Sequence, residues 1–327
     1  MSGGTVLRAE KRYLLFEEEK TRAIFSLSEK IRDSAKQFLK KRKFLEITPP
    51  VLAPVTDPGL RGAKRLETDY YGKKYQLTSS MILHKIAACS FLERDVFSFS
   101  PCVRGEDIRS RRTDRHLSEF WQIDIELFDK GREDAMKVCE ELFHAIIRSV
   151  QEVASAELGF LGRDLEVPKL PLPRLRYAEL FEEVQSLDYS IVFGEEVPWA
   201  VEKEISDTFE SPFFIVDYPT GSRGFYDKIA EEAPDKLLSF DLIYPEGFGE
   251  AVSGSEREYH PDIVTAKLKA AGEEPKDYDW YIEMLRQKPC KTAGFGYGFE
   301  RLVRFISGVY EIKSVTPFPR IAGEHDI

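Results

Sequence analysis

The chain has 327 residues, room for one large domain or two smaller ones, and its 42% hydrophobic and 12% aromatic content supports a sizeable core. A formal net charge of −10 argues against a surface given over to nucleic acid, although a local basic patch is compatible with it. No apolar run spans a membrane and no signal-peptide core opens the chain; Cys89, Cys102, Cys139 and Cys290 are scattered with no CxxC pair, which suggests neither a zinc site nor a disulfide framework and points to a reducing, cytoplasmic setting.

Residues 1–16 read as a short arm with basic residues, ahead of a main domain over 17–327. From Glu17 to Lys43, Ile24, Leu27, Ile31, Ala35, Phe38 and Leu39 recur at steps of three and four, which predicts a helix. Its closing run, Lys40-Lys41-Arg42-Lys43, suits a helix C-terminus and needs no further use than a solvated end. Phe44 to Leu52, FLEITPPVL, carries a double proline and predicts an edge strand or extended segment. Thr56 to Gly72 reads as a loop and Tyr70 to Leu77 as a strand. Thr78-Ser79-Ser80 can cap a helix from about Met81 to Leu92, and Lys85, one turn in, reads by itself as exposed.

Phe97 to Phe128 is the most informative stretch. Two runs of period-two spacing flank a charged loop, Arg104 to His116, which predicts an antiparallel strand pair. Phe120, Gln122, Asp124 and Glu126 then share one face. With Arg104 and Glu106 they form a surface for a charged, aromatic-ringed ligand, against the plainer reading of a solvated hairpin with surface ion pairs. Which of Arg109, Arg111 and Arg112 faces that ligand is open.

A long amphipathic helix follows from Glu133 to about Glu157, its stripe of Val138, Leu142, Ile146, Val150 and Val153 facing the core. Val167 to Arg174 is proline-rich and reads as a linker between sub-regions; residues 175–210 read as mostly helical and silent on chemistry. Phe213 to Tyr218 predicts a strand, and Ser239 to Arg257 a second strand pair carrying Asp241, Glu250 and Arg257. Helices are expected over Asp262 to Ala271 and Asp279 to Arg286. Gly294 to Phe305, GFGYGFERLVRF, places glycines at alternate positions before a helix, which permits close backbone approach, but it lacks the GK[ST] of a P-loop.

Three of these stretches together resemble the catalytic core of class II aminoacyl-tRNA synthetases, in the aspartyl/asparaginyl subgroup. FLEITPPVL resembles motif 1, VRGED…RHLSEFWQIDIE motif 2, and GFGYGFERLVR motif 3, with SFDL and GEAVSGSERE between the last two. The resemblance implies an α+β fold, an antiparallel β-sheet flanked by α-helices with a bent ATP on the sheet, and a homodimer through motif 1 at Pro49. It assigns ATP to Arg104, Glu106, His116, Leu117, Phe120, Glu250 and Arg301, with Arg104 and Arg301 catalytic. Arg104 would meet the α-phosphate, Glu106 the adenine amino group, Phe120 and Arg301 the two faces of adenine, and His116 the γ-phosphate. Asp241, Glu250 and Ser253 would hold Mg2+.

The amino acid is expected to be L-aspartate, held by Ser80, Lys85, Gln122, Asp124, Arg257 and Arg61, because Lys85 and Arg257 put two cations around one pocket. Two positions depart from the aspartyl enzymes: Arg61 stands where they carry a glutamate, and Ile82 where they carry a glutamine. A cation cannot replace that glutamate as partner of the α-ammonium, so aspartate is expected reversed, its β-carboxylate facing the α-phosphate. From the short stretch ahead of the first helix, the subgroup's anticodon-binding OB-fold is expected to be missing. The expectation is therefore an enzyme resembling the archaeal asparagine synthetases related to asparaginyl-tRNA synthetase. It would be an aspartate–ammonia ligase, using ammonia and ATP without tRNA and releasing AMP and pyrophosphate. Two alternatives stand beside it: transfer of an activated amino acid to tRNA or another macromolecule, and a silent regulatory module that binds adenylate or a partner.

Overall fold

The computed structural model of the protein describes residues 11–58, 62–186, 192–194 and 199–324. Eight strands form the main sheet: β1 (Leu45–Glu46), β2 (Val96–Val103), β3 (Glu119–Phe128), β4 (Arg174–Arg176), β5 (Phe213–Val216), β6 (Ser239–Tyr244), β7 (Gly249–Glu256) and β8 (Thr292–Gly298). They lie in the order β1-β2-β3-β8-β7-β6-β5-β4. Only the two edge pairs, β1 with β2 and β4 with β5, are parallel; the rest are antiparallel. The expected antiparallel sheet is therefore present, and β2–β3 is the strand pair read from Phe97 to Phe128.

Alternation along the strands sorts the residues into two layers. On β3, Ile123, Ile125 and Leu127 enter the main apolar core, as do Ala293, Phe295 and Tyr297 on β8. That core is closed by α1 (Glu19–Lys41) through Leu27, Ile31 and Leu39, and by α3 (Arg132–Val153) through Leu142, Ile146 and Val150. α9 (Phe299–Ser307) adds Leu302, Val303 and Ile306. The opposite face of the sheet carries the polar set. It is flanked by a second core of α2 (Ile82–Leu92), α7 (Pro261–Ala270) and α8 (Asp279–Gln287), and by a third of α5 (Tyr177–Ser186) and α6 (Trp199–Asp207) against β5.

The glycines of β8 have a steric reason. Gly294, Gly296 and Gly298 stand in register with Glu126, Asp124 and Gln122 on β3. A Cβ on Gly294 would lie 2.1 Å from Glu126 Oε2, and one on Gly296 2.9 Å from Gln122 Nε2. The missing side chains are the space that β3's polar groups occupy.

Four expectations are corrected. Tyr70 to Leu77 is not one strand but a hairpin of Glu67–Tyr70 and Lys73–Leu77, turning at Tyr71 and Gly72. Both turn residues have positive φ, and an aromatic residue there hides the turn signal. The helix expected over Glu133 to Glu157 breaks at Ala154, and α4 (Ser155–Leu161) follows. The proline-rich linker separates nothing: it leads into β4, an edge strand of the same sheet. Residues 175–210 do not stay silent on chemistry, because α6 reaches the cavity described next.

Candidate active site

Phe120, Gln122 and Asp124 project from β3 into a cavity of about 680 Å³ on the polar face of the sheet. β7, β8, the loop after β2, the starts of α2, α6 and α9 and the stretch 221–227 line the rest of it.

One end is rich in arginine. Arg104 donates from Nε to the carbonyl of Ser79 at 3.1 Å, and its guanidinium lies 5.0 Å from the centre of the Phe120 ring. Arg301, from the first turn of α9, donates to the Glu250 carbonyl at 3.2 Å and stands 3.5 Å from its carboxylate. Burial, followed by the neighbouring Arg115, brings Arg301 down to about 10, so it stays charged at neutral pH. His116 Nδ1 lies 2.6 Å from the Thr113 hydroxyl. Burial, with Arg301 and Arg115 beside it, pushes this imidazole down to about 2. His116 is therefore a neutral hydrogen-bonding group rather than a cation. Glu106 and Leu117 complete this wall.

Sequence reasoning left the loop's arginine undecided among Arg109, Arg111 and Arg112. Of the three only Arg109 lines the cavity, 86% exposed and paired with Asp107, while Arg111 turns away to Glu324 at 2.7 Å. The deep arginine is Arg115, 5% exposed, whose Nη1 bonds Glu202 at 2.6 Å and whose Nη2 lies 3.6 Å from Glu250. Its position directly before His116 was the available signal.

The other end holds Ser80, Ile82, Lys85, Gln122, Asp124 and Arg257. Lys85, read as exposed from its helix alone but as a pocket residue from the resemblance, is 2% exposed and lines the cavity: its ammonium donates to Asp124 Oδ1 and to the Phe295 carbonyl, both at 2.8 Å. Arg257 forks onto Glu126 at 2.9 and 3.0 Å. Each cation thus has a carboxylate of its own, and the count of two cations that favoured a dianion omitted those partners. Lys85 and Arg257 line the cavity as donors and Asp124 as an acceptor, while Glu126 lies behind them, buried and engaged by Arg257 and Thr292. Arg61 lies outside the described residues. Sequence reading also missed Asp57, Tyr226 and Asp227 on this wall. Tyr226 donates to Asp57, 3.1 Å from each carboxylate oxygen, and burial pushes Asp227 up to about 6.

Among the described residues no cluster of three or more His, Cys, Asp and Glu side chains is arranged for a metal. Glu250 and Ser253 line the cavity. Asp241 lies one strand over, in register with Ser253, accepting from Tyr218 at 2.7 Å and from Arg223. Glu250 and Ser253 supply oxygen donors of the kind Mg2+ takes, whereas Asp241 does not line the cavity and its carboxylate is engaged by Arg223 and Tyr218.

The family model described as "tRNA synthetases class II (D, K and N)" matches residues 5–322. The chain belongs to this family. Its relatives include the asparagine–tRNA ligase of Pyrococcus abyssi (strain GE5 / Orsay), 34% identical over 317 residues, which are 96% of this chain and 72% of the relative. The asparagine–tRNA ligase of Thermococcus gammatolerans is 33% identical over 312 residues, 94% of this chain and 71% of the relative. Asparaginyl-tRNA synthetase from Pyrococcus horikoshii, solved with asparaginyl-adenylate, superposes with a TM-score of 0.92 at 31% identity over 99% of this chain and 74% of that one. As a class II tRNA synthetase the chain has that family's fold, and it is a ligase-type enzyme whose substrate ATP comes with Mg2+.

Two expectations fall here. The reaction of an aspartate–ammonia ligase is not that of these relatives, which are tRNA ligases. The exclusion of tRNA as a partner fails for the same reason: net charge and the length ahead of the first helix do not outweigh a match to tRNA ligases along nearly the whole chain. Among the described residues no helix is long and apolar enough to cross a membrane.

Proposed function

We propose that the chain activates an amino acid of the asparagine–aspartate class as its adenylate and transfers it to tRNA. The observation that carries this is the row Phe120, Gln122 and Asp124, which runs along one strand from the arginine-rich end of the cavity to the paired-charge end. A nucleotide at one end and an amino acid at the other would meet over the same strand. Phe120 and Arg301 offer surfaces for adenine, and Arg104 a guanidinium for the α-phosphate. A substrate carboxylate oxygen attacks the α-phosphorus, the bond to pyrophosphate breaks, and the acyl-adenylate remains. Arg104 faces the charge that grows on phosphorus. A terminal ribose hydroxyl of tRNA then attacks the carbonyl carbon and AMP leaves. Mg2+, held by Glu250 and Ser253, would neutralise phosphate charge. At the amino-acid end Lys85 and Arg257 are donors and Asp124 an acceptor, so a β-carboxamide would find both kinds of partner. The names of the relatives put asparagine first.

ATP–pyrophosphate exchange with asparagine and with aspartate, followed by acylation of total tRNA with the labelled amino acid, tests this. Exchange plus acid-precipitable aminoacyl-tRNA is expected. Exchange with neither amino acid overturns the reading, as does AMP release that yields only a free small product and leaves tRNA uncharged.

A further inference from the structure

We infer that Glu202, on α6, is a positioning residue for the triphosphate of ATP, acting through Arg115; this rests on the nucleotide reading above. Glu202 does not line the cavity, but Arg115 does. A single oxygen of Glu202, Oε1, accepts from Arg115 Nη1 and from the Glu250 backbone N–H, both at 2.6 Å. One carboxylate therefore fixes an arginine at the cavity wall and the backbone of the residue that faces both Arg115 and Arg301. Trp199, one turn earlier on the same helix, lies under the Arg115 guanidinium, with its ring centre 4.4 Å away. The guanidinium, 5% exposed, is thus held by Trp199 on one side and by one hydrogen bond to Glu202, with Glu250 3.6 Å from its other nitrogen and Arg301 and His116 nearby.

Gly249 shows how closely this clamp is built. A Cβ there would lie 2.4 Å from the Trp199 ring, 2.5 Å from Glu202 Oε1 and 3.1 Å from Arg115 Nη1, and its φ of +72° disfavours a side chain in any case. Strand β7 starts at a glycine because helix and arginine meet on that spot. Without the clamp, Arg115 has a long, rotamer-rich side chain beside Arg301, and like charges in a buried site separate unless a carboxylate holds them. Glu250 stands between the two arginines, and Glu202, 87 residues from Arg115 in sequence, adds the second carboxylate, which bonds Arg115 directly and holds the Glu250 backbone. An anion binding between Arg115 and Arg301 then finds both guanidinia in place and pays no ordering cost for either.

The β- and γ-phosphates should be the groups that feel Arg115, so ATP and AMP separate this role from a general effect on folding. Binding of ATP and of AMP is measured by equilibrium dialysis on the wild type and on E202A, E202Q, R115A and E202A/R115A. Loss of hydrogen bonds to a charged group is worth about 10- to 100-fold. E202A is expected to weaken ATP by that factor and AMP by less than threefold. E202Q, whose amide oxygen still accepts both bonds, is expected within about threefold of wild type. The double variant should bind ATP no worse than R115A alone, since the two residues act as one unit. ATP affinity in E202A within twofold of wild type overturns the inference. So does an equal loss for ATP and AMP, an E202Q as weak as E202A, or additive losses in the double variant. G249A, which displaces the clamp from the other side, must reproduce the selective loss of ATP. A wild-type chain that binds no ATP overturns both this inference and the adenylation reading; a wild type that binds ATP beside an insensitive E202A overturns this inference alone.

Discussion

The guanidinium of Arg257 forks onto the carboxylate of Glu126, Nε to Oε1 at 2.9 Å and Nη2 to Oε2 at 3.0 Å, with both side chains almost wholly out of water. Thr292 adds a third bond to Oε1 at 3.0 Å. Burial works against the charge on Arg257, but Glu126 outweighs it and holds the group above its ordinary range. Such a pair is worth little against an apolar replacement and a great deal against a broken one. Arg257→Met is expected to cost about 3–5 kcal/mol of stability, because Glu126 is left buried and charged without its counter-ion. Adding Glu126→Leu should restore most of it. Urea unfolding of the three proteins decides the matter: a single variant within about 1 kcal/mol of wild type refutes the account.

Phe120 carries a separate prediction. Its ring is half-buried on the cavity wall with Arg104 over one face. Stacking of a base on an aromatic ring is worth about 1–3 kcal/mol. Phe120→Ala should therefore raise the KM for ATP by about 5- to 150-fold and leave the amino-acid KM unchanged. Exchange kinetics at varied ATP and varied amino acid separate the two constants. An equal rise in both would place Phe120 outside the nucleotide end.

Gly294 tests the fit between strands. A Cβ there meets Glu126 Oε2 at 2.1 Å and the Ile125 carbonyl at 2.2 Å, and a backbone carbonyl in mid-sheet cannot turn aside. Gly294→Ala should cost at the upper end of about 1–3 kcal/mol and disturb the Arg257–Glu126 fork. Gly159, on α4, has nothing within 4 Å of the same added atom. Gly159→Ala should be neutral or stabilising by about 0.5–1 kcal/mol. Thermal unfolding of the pair checks this, and equal melting temperatures would remove the steric explanation of the β8 glycines.

The part of the site legible in the sequence is the part written in strand periodicity. Gln122 and Asp124 alternate with Ile123 and Ile125, and that alternation alone places them on the face opposite the core; Phe120 lines the same cavity but also packs against the core. The alternate glycines of β8 announce close approach for the same local reason. What stayed hidden depends on partners distant in sequence. Lys85 looks like any exposed lysine of a helix until Asp124 is seen 2.8 Å away. Counting Lys85 and Arg257 as free cations led to a dianionic substrate, and their paired carboxylates remove that argument. Glu202 sits in a stretch with no motif, and only packing brings it to Arg115. The tRNA question turned on reading the chain's beginning as a missing domain, which a match to tRNA ligases over 96% of the chain outweighs.

Glu300 carries a prediction about pH. It is 5% exposed, lines the cavity, and accepts from the Trp121 backbone N–H at 3.0 and 3.2 Å. Burial, its largest influence, raises the carboxyl from an ordinary value of 4.5 to about 7. The unfolded chain ionises this group at its ordinary value, while the folded chain keeps the proton until near neutrality. Between those values the native state binds a proton that the unfolded state has lost, so stability falls as pH rises through the window and levels off above it. The loss is on the order of 3 kcal/mol. Glu300→Gln keeps an acceptor for Trp121 and removes the titration. Its stability relative to wild type should therefore grow from small at pH 5 to its full value by pH 8. Asp227, raised to about 6, titrates with the same sign in both proteins and cancels from the difference. Urea unfolding of both proteins at three pH values measures that difference, and one that stays constant from pH 5 to pH 8 would show that Glu300 is ionised throughout.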